Sequence, residues 1–215
     1  MFFIIYNDKH RFIGDLNRLW ARVFFFLVFI PIEVINESNI PEQGQYIFCA
    51  NHFSYMDIPV LAYLNFNAFF IGKSSLAKIP IFGYMFKKIH IPVDRSNLKS
   101  RSEALKKGMD ALDKGVSLIF FPEGGIISKD PPRLNGFKDG AFRLAKEKQI
   151  PIVPVTIPNN WIILPDDNKF LLKREKAKII LHKPIDAKVL MENDIQWIKK
   201  ETYRIIDQEL KKHFS

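Results

Sequence analysis

At 215 residues, with 47% hydrophobic and 26% charged side chains, the chain is long enough for one well-buried core and too apolar to be disordered. Its net charge of +9 asks for an anionic partner: a phosphorylated substrate, an acidic lipid surface or a nucleic acid. Nucleic acid is the weakest of these, because the cations are spread along the chain and no zinc-finger, basic-zipper or RNP pattern occurs.

The first element is apolar and aromatic, with Phe-rich sequence across residues 19–32. Its uninterrupted apolar run, Val23 to Ile30, falls far short of the ~20 residues that a spanning helix needs. Lys9, His10, Arg11, Arg18 and Arg22 precede it, with Trp20 at the junction. That pattern suits an amphipathic helix lying in the headgroup region with basic side chains reaching anionic lipid. A buried core helix ending at Pro31 is the alternative. A secretory signal is disfavoured, since no small-residue cleavage site follows. The reading divides the chain into a basic, hydrophobic, membrane-associating helical segment over 1–31 and a globular domain over 32–215.

Within that domain, short apolar runs alternate with helical patterns. Strands are expected at Ile32–Ile35, Tyr46–Ala50, Ala68–Ile71, Ile89–Val93, Ser117–Phe121, Ile152–Ile157 and Lys178–Leu181. They are runs rather than strict alternations, so both faces of the sheet should be covered. Leu105, Met109 and Leu112 recur at helical spacing over Lys99 to Lys114, and Gly115 follows as a stop. Lys138 to Lys148 reads as a second helix, and Asp186 to His213 as one or two more. The expected fold is a single α/β domain: a mostly parallel central sheet of about seven strands flanked by helices. Cys49, the sole cysteine, excludes an internal disulfide and a cysteine metal cluster; it reads as a small core residue and fits a reducing compartment.

Four elements carry chemistry. Asn51-His52-Phe53-Ser54-Tyr55-Met56-Asp57 follows the second strand directly, where α/β folds place reactive groups. On one continuous helix His52 and Asp57 would point about 140° apart. Pro59 is tolerated only in a first helical turn, so the helix should begin near Asp57 or Ile58 and the pair should span a strand-to-helix turn. There the carboxylate can fix the imidazole tautomer and leave the other nitrogen free to take a proton. The plainer reading makes Asp57 an N-cap and His52 a loop histidine. Asp94-Arg95 ends the fourth strand and suits either phosphate binding or a surface ion pair. Phe121-Pro122-Glu123-Gly124-Gly125 breaks the fifth strand with a carboxylate and two glycines, forming a tight turn or an oxyanion-binding backbone. Pro151 to Val155, with Pro154 inside, suggests an edge or irregular strand that could line an acyl channel.

In this order the elements resemble the 1-acylglycerol-3-phosphate acyltransferase (lysophosphatidate acyltransferase) family. The family's N-H-x-x-x-x-D block matches Asn51, His52 and Asp57; its Asp-Arg matches Asp94 and Arg95; its F-P-E-G-T-R matches Phe121 to Gly124; its proline-bounded strand matches Pro151 to Val155. Lys73, ahead of the Pro-x-x-Gly segment at 79–83, resembles the family's lysine. The resemblance covers roughly Ile32 to Leu181. It implies a glycerol-3-phosphate acyltransferase-like fold and transfer of a fatty acyl group to a lysophospholipid acceptor, 1-acyl-sn-glycerol-3-phosphate first among them. The donor is a thioester, acyl-CoA or acyl-carrier protein. His52 is then the general base and Asp57 its orienter. Asn51, Lys73, Asp94, Arg95, Glu123, Gly124 and Gly125 bind substrate: Arg95 and Lys73 hold phosphate, Glu123 positions the acceptor or organises Arg95, and backbone N–H groups around Gly124 meet the oxyanion. No cofactor, metal or covalent acyl-enzyme is implied, Ser54 being read as a turn residue. The expected location is the cytoplasmic face of a membrane, peripheral or monotopic.

Two departures stand out. Gly125 and Ile126 replace the family's Thr-Arg, whose Arg is thought to help hold the acceptor phosphate, so the acceptor headgroup is open and an amino-acid-based lyso-lipid is an alternative. Arg133 or Lys138 is a candidate for the missing charge. The further upstream hydrophobic helix common in the family has no counterpart in this sequence, which suggests an internal start at Met1 or a truncated gene model. A catalytically idle lipid-surface binding protein and a metallohydrolase are the readings outside the class; one His and two carboxylates make a poor zinc set.

Overall fold

The computed structural model describes residues 2–74, 86, 89–167, 169 and 171–214, and of residues 2–13 the backbone alone. The Pro-x-x-Gly segment at 79–83 lies outside the described residues. Helix α1 (Phe2–Val28) leads into β1 (Ile32–Asn36), and β2 (Ile47–Ala50) leads into α2 (Asp57–Ala62). Then come β3 (Ala68–Lys73), β4 (Ile91–Val93), α3 (Leu98–Asp113), β5 (Ser117–Phe120) and α4 (Gly140–Lys148). The chain closes with β6 (Ile152–Thr156), α5 (Asn160–Ile163), β7 (Ala177–Leu181), α6 (Ala187–Glu192) and α7 (Ile195–Phe214).

The strands form one sheet in the order β1-β7-β6-β2-β5-β3-β4. Strands β6, β2, β5, β3 and β4 are mutually parallel; β7 runs antiparallel to β6, and β1 is parallel to β7. The apolar runs of the sequence follow from burial on both faces. Ile47 and Cys49 join Leu118, Phe120 and Ile152 in a core completed by α3, α4 and α7. Phe48 and Ala50 join Phe70, Ile119, Val153 and Val155 in the opposite core, which α1 and α2 cover through Phe25, Val60 and Leu61. Cys49 is fully buried, and burial pushes its thiol far up, so it is an inert core residue.

Two local expectations change. Ile89 belongs to a helical turn rather than to β4. Strand β6 is not an edge but an interior strand between β7 and β2. Pro154 is accommodated there because its carbonyl, and hence its nitrogen, points toward β7, where the ladder is interrupted. Ile152 bridges Ile185, Pro154 accepts from His182 N–H (3.1 Å), and regular β6–β7 pairing starts only at Val155. Its buried ring lines neither of the two large clefts described below.

Helix α1 packs one face inward through Asn17, Ala21 and Phe25, at four-residue spacing. Its outer face exposes Leu16, Leu19, Val23, Phe26 and Leu27, Phe26 being 75% exposed. Among the described residues no helix is long and apolar enough to cross a membrane.

Candidate active site

Four parallel neighbours, β2, β5, β3 and β4, end at the same edge of the sheet, which is why segments far apart in sequence meet there. Beyond β2 lie Asn51 and His52; beyond β5, Glu123 and Gly124; Lys73 ends β3, and Asp94-Arg95 follow β4.

Helix α2 begins at Asp57, with Met56 as its N-cap and no side-chain capping bond. Asp57 is therefore not the cap. Its carboxylate is fully buried and reaches back across the turn: Oδ2 lies 3.0 Å from Nδ1 of His52 and accepts the backbone N–H groups of Phe53 and Ser54, each at 2.9 Å. Oδ1 accepts from Nδ2 of Asn160 at 2.9 Å. All the hydrogen-bonding capacity of Asp57 facing the ring is acceptor capacity, so Nδ1 of His52 carries the proton and Nε2 carries the lone pair. The imidazole is stacked on Phe121, with centroids 3.9 Å apart and planes 15° apart, which fixes its second rotational freedom. His52 and Phe121 line a cleft of about 890 Å³ together with Ile58, Phe70, Lys73 and Arg95. The cleft joins apolar walls to two cations and one basic nitrogen.

The remaining sequence candidates separate into those that face the cleft and those that hold it. Lys73 is exposed on the cleft wall, and Arg95 is half-buried there, burial lowering its pKa without removing the charge that a guanidinium keeps. Asp94 also lines the cleft but turns its carboxylate onto Ser96, accepting from its N–H (3.0 Å) and its hydroxyl (2.7 Å); these bonds hold the carboxyl below its usual range. It pairs with no arginine among the described residues and shapes the turn into α3. Asn51 is fully buried and clasps Ile157, donating to its carbonyl (2.8 Å) and accepting its N–H (2.7 Å), so its amide ties β2 to the end of β6. Glu123 is fully buried too: Oε1 accepts His52 N–H at 2.8 Å and Oε2 accepts Asn135 N–H at 2.9 Å. Burial raises its pKa and these bonds oppose the rise. Its partners are thus the backbone N–H of His52 and the backbone N–H and side-chain amide of Asn135, not Arg95.

Gly124 has φ of 94°, a left-handed conformation that suits glycine. Its N–H donates to Phe121 O at 3.0 Å, so this amide closes a turn and is not a free oxyanion donor. At Gly125 a Cβ would come within 3.3 Å of Arg95 Nη1, so the missing side chain leaves the space that Arg95 takes. Lys138 runs beside Gly124, its Cε 3.7 Å from where a Cβ would stand, but it does not line the cleft that holds His52, Lys73 and Arg95, and neither does Arg133. Ser54 donates its hydroxyl to Leu164 O (2.7 Å) and accepts Met56 N–H, the turn role expected of it. Asn160, Asn135 and Phe121 escaped the sequence reading as supports of His52. For Asn160 the signal was its place just past the C-terminal end of β6, at the same edge as His52.

The model of the family described as Acyltransferase matches residues 31–158. The chain is 32% identical over 187 residues to a chloroplastic 1-acyl-sn-glycerol-3-phosphate acyltransferase of Brassica napus, covering 85% of this chain and 54% of that protein. It is 34% identical to a chloroplastic 1-acyl-sn-glycerol-3-phosphate acyltransferase of Arabidopsis thaliana, covering 85% and 52%. The chain thus spans about half the length of the curated relatives it matches. In fold it is similar to the crystal structure of the 1-acyl-sn-glycerophosphate acyltransferase PlsC of Thermotoga maritima, with a TM-score of 0.79 at 22% identity, covering 100% of this chain and 88% of that one.

Proposed function

The chain belongs to the acyltransferase family, and on that premise we propose that it moves a fatty acyl group from a thioester to the hydroxyl of a lysophospholipid, 1-acyl-sn-glycerol-3-phosphate in first place, giving phosphatidic acid. The observation that carries the reading is the buried His52–Asp57 pair whose free Nε2 belongs to a cleft that also holds Lys73 and Arg95.

Nε2 takes the acceptor's hydroxyl proton as its oxygen attacks the thioester carbonyl. Asp57 stabilises the imidazolium that forms, and the tetrahedral intermediate collapses with departure of the thiolate, which receives the proton from His52. General-base catalysis of this kind contributes typically ~10²–10⁴-fold. Arg95 and Lys73 hold the acceptor phosphate, while Ile58, Phe70, Phe86 and Phe121 offer an apolar wall to the acyl chain. Direct transfer fits the engagement of the Ser54 hydroxyl. Glu123 and Asn51 act by positioning His52, not by touching substrate.

The exposed apolar face of α1 supports peripheral or monotopic attachment to a membrane, at its cytoplasmic face, where a lyso-lipid acceptor is presented. Replacing Phe26 and Leu27 with Glu should release the protein from anionic liposomes in a sedimentation assay; full retention would remove this attachment. Gly125-Ile126 in place of Thr-Arg favours, as a second reading, an acceptor with a different headgroup. One assay covers both: the purified protein is offered lysophosphatidate and other lyso-lipids with acyl-CoA or acyl-carrier protein, and the products are identified by mass spectrometry. Phosphatidic acid is the expected product. Acylation of another lyso-lipid alone establishes the second reading, and acylation of none by folded protein ends both.

A further inference from the structure

A second cleft, of about 960 Å³, lies across the Gly124–Ile127 loop from the first. The two share Ile71, Arg95, Phe121, Gly124 and Ile127 as a common wall. Four cations line the second one: Arg95, Arg101, Lys138 and Arg143. Its two carboxylates are occupied elsewhere. Glu123 is closed on His52 and Asn135, and Asp139 accepts Lys199 at 2.8 Å with Arg143 at 3.8 Å. Among the described residues Arg95, Arg101 and Lys138 have no ion-pair partner. The first turns of α3 and α4 both border the cleft, through Leu98 and Arg101 and through Gly140 and Arg143, and their dipoles add positive potential to that of the side chains. Asp139 does not cap α4 with its side chain. Beside these charges are apolar surfaces: Leu98, 75% exposed, Ile127, 53% exposed, and Leu105.

Resting on the acyl-transfer reading, we propose that this second cleft binds the phosphopantetheine carrier of the acyl thioester, its phosphates on Arg101 and Lys138 and its amide arm running past Ile127 and Phe121 toward His52. Three features favour that occupant. Unpaired cations next to exposed aliphatic residues suit a ligand that is anionic at one end and weakly polar along its length. The wall shared with the first cleft ends at Phe121, the ring on which His52 is stacked, so a thioester delivered over it arrives at the base. The first cleft, with its own cations and apolar walls, stays free for the lyso-lipid, so the two substrates reach His52 from opposite sides of one loop.

The test is calorimetric titration of the whole protein with CoA and, separately, with holo acyl-carrier protein, for wild type, His52→Ala and the double variant Arg101→Glu/Lys138→Glu. The expected result is binding of one or both probes to wild type and His52→Ala alike, weakened at least tenfold in the double variant and falling with added salt. Response to CoA alone or to the carrier protein alone identifies the source of the phosphopantetheine. Steady-state kinetics of the double variant should show a donor KM raised at least tenfold with the lysophosphatidate KM within twofold, which also shows that the variant is folded. Equal binding in the double variant, binding of neither probe by wild type, or a rise confined to the acceptor KM overturns the assignment. Since binding is read without turnover, loss of the groove and loss of the acyltransferase reading are separate outcomes: CoA held in the groove of a protein that acylates nothing retains the first and removes the second.

Discussion

Two histidines meet carboxylates at almost the same distance, and they are built for different ends. His52 Nδ1 lies 3.0 Å from Asp57, and His182 Nδ1 lies 2.9 Å from Glu37. His52 leaves Nε2 to a large cleft. His182 spends its second nitrogen on the hydroxyl of Thr156, 2.8 Å away and fully buried, and lines neither large cleft. The Thr156–His182–Glu37 chain has the residue types of a nucleophile, a base and an orienter, yet it is a fastening between β6, the end of β7 and the loop after β1. Catalytic capacity therefore lies in the unengaged lone pair facing a substrate-sized opening, and a His–carboxylate contact alone does not provide it.

The largest effect is expected at Asp57. Asp57→Asn leaves the shape but offers an amide to donors that need an acceptor, and it destabilises the imidazolium of His52. A kcat lower by on the order of 10²–10⁴-fold is expected, by analogy with the orienting carboxylate of a serine-protease triad. Kinetics with saturating donor and acceptor check it, and a loss below tenfold would mean that the ring is held by Phe121 alone. Arg95→Ala comes next. Loss of a charged hydrogen bond of about 1.5–3 kcal/mol raises the acceptor KM by roughly 10–150-fold, measured against lysophosphatidate.

On the other side of the comparison, His182→Ala should leave acyl transfer within twofold. It strands the Thr156 hydroxyl in the core at a cost of about 1–3 kcal/mol. At about 2–4 °C per kcal/mol for a chain of this size, thermal unfolding shows the shift directly.

A third histidine sharpens the contrast with the smallest effect. His90 is half-buried against Phe69, Phe70 and Phe86, accepts Phe70 N–H at 3.3 Å, and its desolvation lowers its pKa to about 3. A depressed folded pKa means that the unfolded chain binds the proton first as pH falls below the ordinary 6.5. Stability is then full above that value and is lost progressively toward pH 3. His90→Gln should flatten this acid limb in denaturant titrations and leave the curves near pH 7 parallel to those of wild type.

What was legible in the sequence was local. Pro59 placed the start of α2, and that alone made a contact between His52 and Asp57 possible across a turn. The apolar runs gave a sheet covered on both faces because burial on two sides erases the alternation of polar and apolar residues. What was not legible depends on partners distant in sequence. Asn51 looked like a substrate ligand until Ile157, 106 residues away, took both ends of its amide. Glu123 looked like a group for the acceptor, and Gly124 like an oxyanion donor, because neither residue announces that its bonds turn inward to His52, Asn135 and Phe121. Pro154 argued for an edge or irregular strand; β6 is interior, and its interrupted ladder with β7 is the irregularity that admits the proline.

The different work of the two histidines shows in His52→Ala and His182→Ala measured side by side for acyl transfer to lysophosphatidate, by mass spectrometry, and for thermal unfolding. At least a hundredfold loss of turnover is expected in His52→Ala, with binding of the donor retained, and the reverse pattern in His182→Ala: near-normal turnover and a lower midpoint. Full acyl transfer by His52→Ala, or its abolition in a folded His182→Ala protein, would contradict this division of work.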